Sequence, residues 1–292
     1  MDKDNQTITL KDGRKLGFSE HGDLNGKPVF FMHGNPSSRF LRYPDDSAKN
    51  LGLRIITPDR PGMGLSDFKP NRKPMDLPDD MVQLADHLKI NTFSIFGASA
   101  GGVYTLACAR KIPERLEKVV VLSGGAPFNY AADPFQGMAK NWKKIFVMFQ
   151  KFPVWLQKLM LWIGKRKLDK DPEAAYQKMV LDSCHNEADK KIALDPALKA
   201  WVIGHSGESM RQGTRGVIHE MKIVLSPWDF NPADIKKHVD LWYWEDDPLV
   251  PIQMGKYLAS VIPNNTTHFF PGGGHLAALG AWRDVLKSIT GK

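Results

Sequence analysis

The stretch TFSIFGASAGGVYTLACAR, Thr92 to Arg110, sets Ser99 between Gly97 and Gly101, with Ala98 and Ala100 in between. Gly-x-Ser-x-Gly is short, and a chain of ordinary composition shows it by chance about one time in ten. The setting is more restrictive: an apolar run of strand length ends at Gly97, and a helical pattern begins just past the serine. A turn that tight strains the backbone of its central residue and admits only small neighbours, which is what a serine nucleophile needs to stand clear of the sheet. A serine hydroxyl is a weak nucleophile at neutral pH, so it calls for a histidine base and a carboxylate to hold that base.

Of nine histidines, His21, His87, His185, His205, His219 and His238 fall in loops or helical patterns without a distinctive setting, and His268 sits inside a strand pattern. His275 follows FFPGGG directly after the last strand pattern and precedes the last helix, at the sheet end where α/β proteins carry their chemistry. For the acid, WYWEDDPLVP offers Glu245, Asp246 and Asp247. Asp247 stands directly before Pro248, which biases it toward an extended or turn conformation, and it is preferred to Asp246.

Strands and helices must bring these residues together. Apolar runs at Pro28–Gly34, Leu53–Asp59, Thr92–Gly97, Glu117–Gly125, Val239–Glu245 and Thr266–Gly272 alternate with helical spacing, and QTITL and KLGFSEHG read as a hairpin about the Asp-Gly of KDGR. The expectation is an α/β protein with an eight-stranded, predominantly parallel sheet flanked by helices. Residues 127–228 break the rhythm with aromatic, methionine-rich and lysine-rich helices, so they are expected to be an insertion into a core made of residues 1–126 and 229–292. Within it, Trp142, Ile145, Phe146 and Phe149 share one helical face, and Trp155, Leu159, Trp162 and Ile163 share another.

Several function classes find no support. Cys108 and Cys184 form no CxxC or metal-spaced cluster, and neither HExxH nor GxxxxGK[ST] is present, so no metal, organic cofactor or nucleotide is called for. The first residues, MDKDNQT, lack the pattern of a secretory signal, which gives a cytoplasmic expectation. Phe146 to Ile163 is broken by Lys151, Pro153 and Lys158, so stable membrane insertion is not expected. The formal charge is +8, and residues 129–222 carry 16 Lys and Arg against 10 Asp and Glu, which leaves +6 of it there. A solvated basic face explains this; no nucleic-acid motif accompanies it, while the aromatic and basic make-up of the region suits peripheral contact with lipid. The partner expected is a small-molecule substrate.

The order Ser99, Asp247, His275 resembles the α/β-hydrolase superfamily, and further motifs agree with it. FFMHGNPSSRFLRY is similar to its His-Gly oxyanion loop, TPDRPGMGLSD to its Asp-x-x-Gly-x-Gly-x-Ser segment, DPLVP to its acid loop and GGGH to its histidine loop. The resemblance implies an α/β-hydrolase fold with a helical cap. It also implies an oxyanion hole from the backbone N–H groups of Asn35 and Ala100, with His33 and Gly34 supporting that loop. Two features depart from the family: Tyr243 and Trp244 stand where a His-Gly pair is frequent, and IKKHVDLWYW lacks the usual proline. Dehalogenases and epoxide hydrolases of the family use aspartate where this chain has Ser99. The resemblance therefore implies a serine hydrolase of carboxylic esters or thioesters. The alternatives are carbon–carbon bond hydrolysis, a prolyl-aminopeptidase-like peptidase, or a receptor-like binding protein. Met138, Trp142, Phe146, Met210 and Met221 are the expected lining of an apolar acyl pocket beneath the cap.

Overall fold

The structure, a computed structural model, describes residues 3–291 apart from 44, 182, 183 and 185, and leaves out the side chains of 179 and 204–206. His185 and the side chain of His205 lie outside the described residues. Eight strands are present: β1 Gln6–Thr9, β2 Lys15–Gly22, β3 Lys27–Met32, β4 Leu53–Pro58, β5 Phe93–Ala98, β6 Leu116–Leu122, β7 Val239–Trp244 and β8 Asn265–Phe270. They form one sheet in the order β1-β2-β4-β3-β5-β6-β7-β8. The β1/β2 and β2/β4 pairs are antiparallel and the remaining pairs are parallel.

Successive residues of a strand point to opposite sheet faces, and the central strands are apolar on both. Phe30, Met32, Ile95, Val119, Val121, Leu241 and Tyr243 enter one core cluster. Their neighbours Val29, Phe31, Phe96, Val120, Leu122, Trp242 and Trp244 enter a second cluster. Helices α2 (Leu77–His87), α3 (Gly101–Lys111) and α10 (Ile252–Val261) cover the first face. On the second face lie α1 (Ser47–Asn50), α11 (Ala277–Gly280) and α12 (Trp282–Thr290), whose Trp282 packs edge-on against Phe31 and Phe96.

Between β6 and β7 run six helices: α4 Lys140–Lys151, α5 Val154–Lys170, α6 Pro172–Met179, α7 Glu187–Ala193, α8 Pro196–Ser209 and α9 Arg215–Val224. Local chemistry starts three of them. Asp171, Asn186 and Asp195 each accept a hydrogen bond from the backbone of the helix they precede, and Pro172 and Pro196 open theirs. The apolar face of α5 carrying Trp155, Leu159, Trp162 and Ile163 is turned to solvent, while Gln157, Leu161 and Leu168 lie on the inner side. Periodicity identifies an apolar helix face but does not say what covers it.

Candidate active site

Ser99 has φ +54°, a left-handed conformation that is strained for a residue with a Cβ. The strain is held from both sides. The Ser99 N–H donates to the carbonyl of Leu122 on β6 (2.9 Å), and its carbonyl accepts from Gly102 at the start of α3 (3.0 Å). The neighbouring glycines are demanded by space: a Cβ on Gly101 would stand 1.9 Å from the carbonyl oxygen of Met32, and one on Gly97 2.2 Å from Thr105 Oγ1.

At the sheet's other exit loops, His275 Nδ1 lies 2.8 Å from Asp247 Oδ2. Asp247 is buried, and its Oδ1 accepts the N–H groups of Leu249 (2.9 Å) and Val250 (2.8 Å). Those bonds aim the remaining oxygen at the imidazole. Asp246 and Glu245 are exposed. Burial lowers the His275 pKa, but the charge and hydrogen bond of Asp247, with a further contribution from Asp189, outweigh it and hold the pKa above its ordinary 6.5. The carboxylate can only accept, so Nδ1 carries the proton and Nε2 is the free basic nitrogen. The other described histidines are placed elsewhere: burial pushes His21 to about 4, His219 meets the Arg72 carbonyl at 3.2 Å, and His238 and His268 lie near Asp240.

The loop after β3 approaches Ser99 closely enough that a Cβ on Gly34 would sit 3.4 Å from the serine Cβ. Arg60 donates to the carbonyls of His33 and Gly34, the latter at 2.6 Å. The C=O and N–H of a trans peptide point in opposite directions, so fixing the Gly34 carbonyl on Arg60 turns the Asn35 N–H to the other side. Among the described residues no group accepts from the Asn35 or Ala100 N–H. Asn35 and Ala100 line the same cavity as Ser99.

That cavity is about 270 Å³, and Trp142, Ile145, Phe146 and Phe149 of α4 face Val217, Met221 and Val224 of α9 across it. Of the expected lining, Trp142, Phe146 and Met221 are present; Met138 and Met210 are not. Met138 belongs to the core cluster on the α3 side of the sheet, and Met210 packs with Met63 and Val217 in a small cluster of its own. Both are apolar residues between β6 and β7 that pack against neighbours other than the cavity. The side-chain amide of Asn35 is buried there without a hydrogen-bond partner among the described residues.

Three charged residues that sequence reasoning missed act around this site. Asp189 of α7 is buried and accepts the backbone N–H groups of Gly274 (2.9 Å), Ala277 (3.2 Å) and Leu276 (3.4 Å), which bracket His275. Glu220 of α9 is buried against Arg60 (3.1 Å), Arg72 and the Tyr104 hydroxyl (3.0 Å). Burial raises the Glu220 pKa, but the two arginines and Tyr104 hold it below its ordinary 4.5. Arg60 is the third, linking Glu220 to the loop after β3. By contrast the Asp59–Ser66 segment is a staple: Asp59 accepts from the Leu65 N–H (2.8 Å) and from Arg39 (2.9 Å), and Ser66 Oγ donates to the Asp59 carbonyl (2.7 Å).

Cys108 and Cys184 are buried free thiols whose pKa values burial pushes up, Cys184 to about 11. No group of three or more metal-ligating side chains occurs among the described residues.

The sequence profile of the alpha/beta hydrolase family matches residues 29–287. The chain belongs to the alpha/beta hydrolase family. Its sequence is 32% identical to an uncharacterized hydrolase of Bacillus subtilis over 118 residues, 40% of each chain. The chain thus spans about 40% of the length of the first curated relatives it matches. A longer match, 27% over 232 residues, joins it to a 2-hydroxy-6-oxo-6-phenylhexa-2,4-dienoate hydrolase of Burkholderia cepacia, covering 77% of this chain and 72% of that one. In fold it is similar to an esterase from Exiguobacterium antarcticum: TM-score 0.68 at 16% identity, over 99% of this chain and 100% of that one.

Proposed function

We propose that the chain is a serine hydrolase that cleaves carboxylic esters or thioesters of small to medium apolar substrates, with residues 127–228 as a cap over the site. The observation that carries this reading is a strained serine opening into an apolar cavity, on a sheet whose exit loops after β7 and β8 hold a hydrogen-bonded pair of a buried Asp247 and a part-buried His275. In this mechanism His275 Nε2 takes the Ser99 proton as Oγ attacks the carbonyl carbon. Asp247 stabilises the imidazolium, and the Asn35 and Ala100 N–H groups receive the developing oxyanion. The imidazolium then gives its proton to the leaving alcohol or thiol. Water, deprotonated by the same nitrogen, releases the acid and frees Ser99.

Carbon–carbon hydrolysis, suggested by the Burkholderia cepacia relative, is the second reading. A dienoate brings a carboxylate, and no Lys or Arg lines the cavity among the described residues, which favours a neutral ester. An aminopeptidase needs a carboxylate to meet the substrate amine, whereas Asp189 and Glu220 are both engaged by protein partners.

A fluorophosphonate should label the folded protein at Ser99, and Ser99→Ala should abolish the label. With a series of esters of growing acyl length, kcat/KM should rise about fourfold per methylene until the cavity is full. A folded protein that stays unlabelled and turns over no member of the series, yet binds one tightly, would be a receptor rather than an enzyme.

A further inference from the structure

Helices α4 and α5 present surfaces of different chemistry. Trp142, Phe146, Phe149 and Leu161 line the cavity. Seven of the nine large hydrophobic side chains found exposed among the described residues lie between Phe152 and Ile163, most of them on the outer face of α5. Trp155 is 66% exposed and Trp162 48%. With Leu159 and Ile163 they follow helical spacing, so they form a stripe and not a scatter. Residues 140–170 also carry nine Lys and Arg against Asp169 alone, a balance of +8 that equals the formal charge of the whole chain.

We propose that this outer face docks on an anionic lipid surface and that the site draws its ester from there. Tryptophan and leucine suit the boundary between headgroup and acyl chain, and lysines around them meet anionic headgroups. The side chains already hold the required arrangement. Val147, Met148 and Phe152 floor a groove edged by Lys140, Lys143, Lys144 and Lys151, whose stems cover apolar surface while their ammonium groups stay in water. Arg166 stacks over Trp162 at 4.4 Å. Among the described residues no helix is long and apolar enough to cross a membrane, so α5, 17 residues and about 25 Å long, would lie in the plane of the surface. A second copy of the chain would set +8 against +8. A nucleic acid would answer the charge but offers no apolar phase for Leu159, Met160 and Ile163.

This inference rests on the hydrolase reading for its substrate, but its test does not. The whole chain, with and without Ser99→Ala, is sedimented with phosphatidylcholine vesicles that contain or lack phosphatidylserine. Both proteins should partition to the anionic vesicles at least about tenfold more strongly. Trp155→Ser with Trp162→Ser, and separately Lys151→Glu with Lys158→Glu, should each remove about tenfold or more of that binding, while hydrolysis of a water-soluble short ester is unchanged. Raising salt should weaken the wild type. Equal partition to neutral and anionic vesicles, or binding that both double variants retain, overturns the proposal. So does self-association abolished by the tryptophan variant without any vesicle binding, which assigns the face to a second copy. Loss of ester hydrolysis alone would bear on the catalytic reading and leave the docking result standing.

Discussion

The turn at Ser99 and the pairing of His275 with Asp247 were legible in the sequence because each residue is announced by its own backbone surroundings: small residues at a strand exit, a glycine-rich loop, and an aspartate before proline. Chain order then linked them. If the three act as one unit, Ser99→Ala and His275→Ala should each lower kcat by about 10⁴-fold or more, and the double variant should fall little further. Asp247→Asn should cost about 10⁴-fold by favouring the wrong tautomer, and Asp246→Asn no more than about twofold, because Asp246 is exposed while Asp247 is buried against the imidazole. The pH profile follows from the same contact. Protonated His275 cannot accept the serine proton, so activity is lost as pH falls through its pKa. Because that pKa is raised above 6.5, the acid limb of kcat/KM should lie above 6.5.

At the scale of elements, the loops around Ser99 and His275 are held by residues that no local pattern could reveal. Asp189 caps the loop around His275 from 85 positions earlier in the chain, and as an isolated aspartate in a lysine-rich helix it reads like a solvated charge. Glu220 sits in a helix of ordinary amphipathic pattern, and its meeting with Arg60 and Arg72 depends on how α9 lands on the core. Asp189→Asn keeps an acceptor for the backbone but removes a charge that raises the His275 pKa. The acid limb should therefore move to lower pH, a shift that a purely structural role would not cause. Glu220→Gln leaves two buried arginines uncompensated and should destabilise the protein by about 3–5 kcal/mol in urea unfolding. Because its folded pKa is depressed, the stabilisation from Glu220 is present above the ordinary 4.5 and is lost as pH falls through the lowered value.

For the molecule as a whole, all eight strands were legible because buried parallel strands leave near-continuous apolar runs. Residues 127–228 were legible as helices but not as a surface, since neither the outward turn of Trp155 and Trp162 nor the withdrawal of Met138 and Met210 leaves a mark on spacing. The polar ties of these helices to the core are also uneven. Helices α7, α8 and α9 are tied to the core through Asp189, through Glu208 on Arg39 (2.7 Å), through Trp201 on the Phe40 carbonyl (2.9 Å) and through Glu220. The described ion pairs of α4 and α5, Lys143–Asp133 and Lys165–Asp169, stay within residues 127–228. Two tempos should follow. Amide hydrogens of α4 and α5 should exchange with solvent orders of magnitude faster than those of α9, as these two helices open in local excursions that leave the pinned helices in place. Entry to the cavity would then be timed by the breathing of two helices, and a disulfide clamping α4 to α9 should slow turnover of bulky esters without altering the chemistry of small ones.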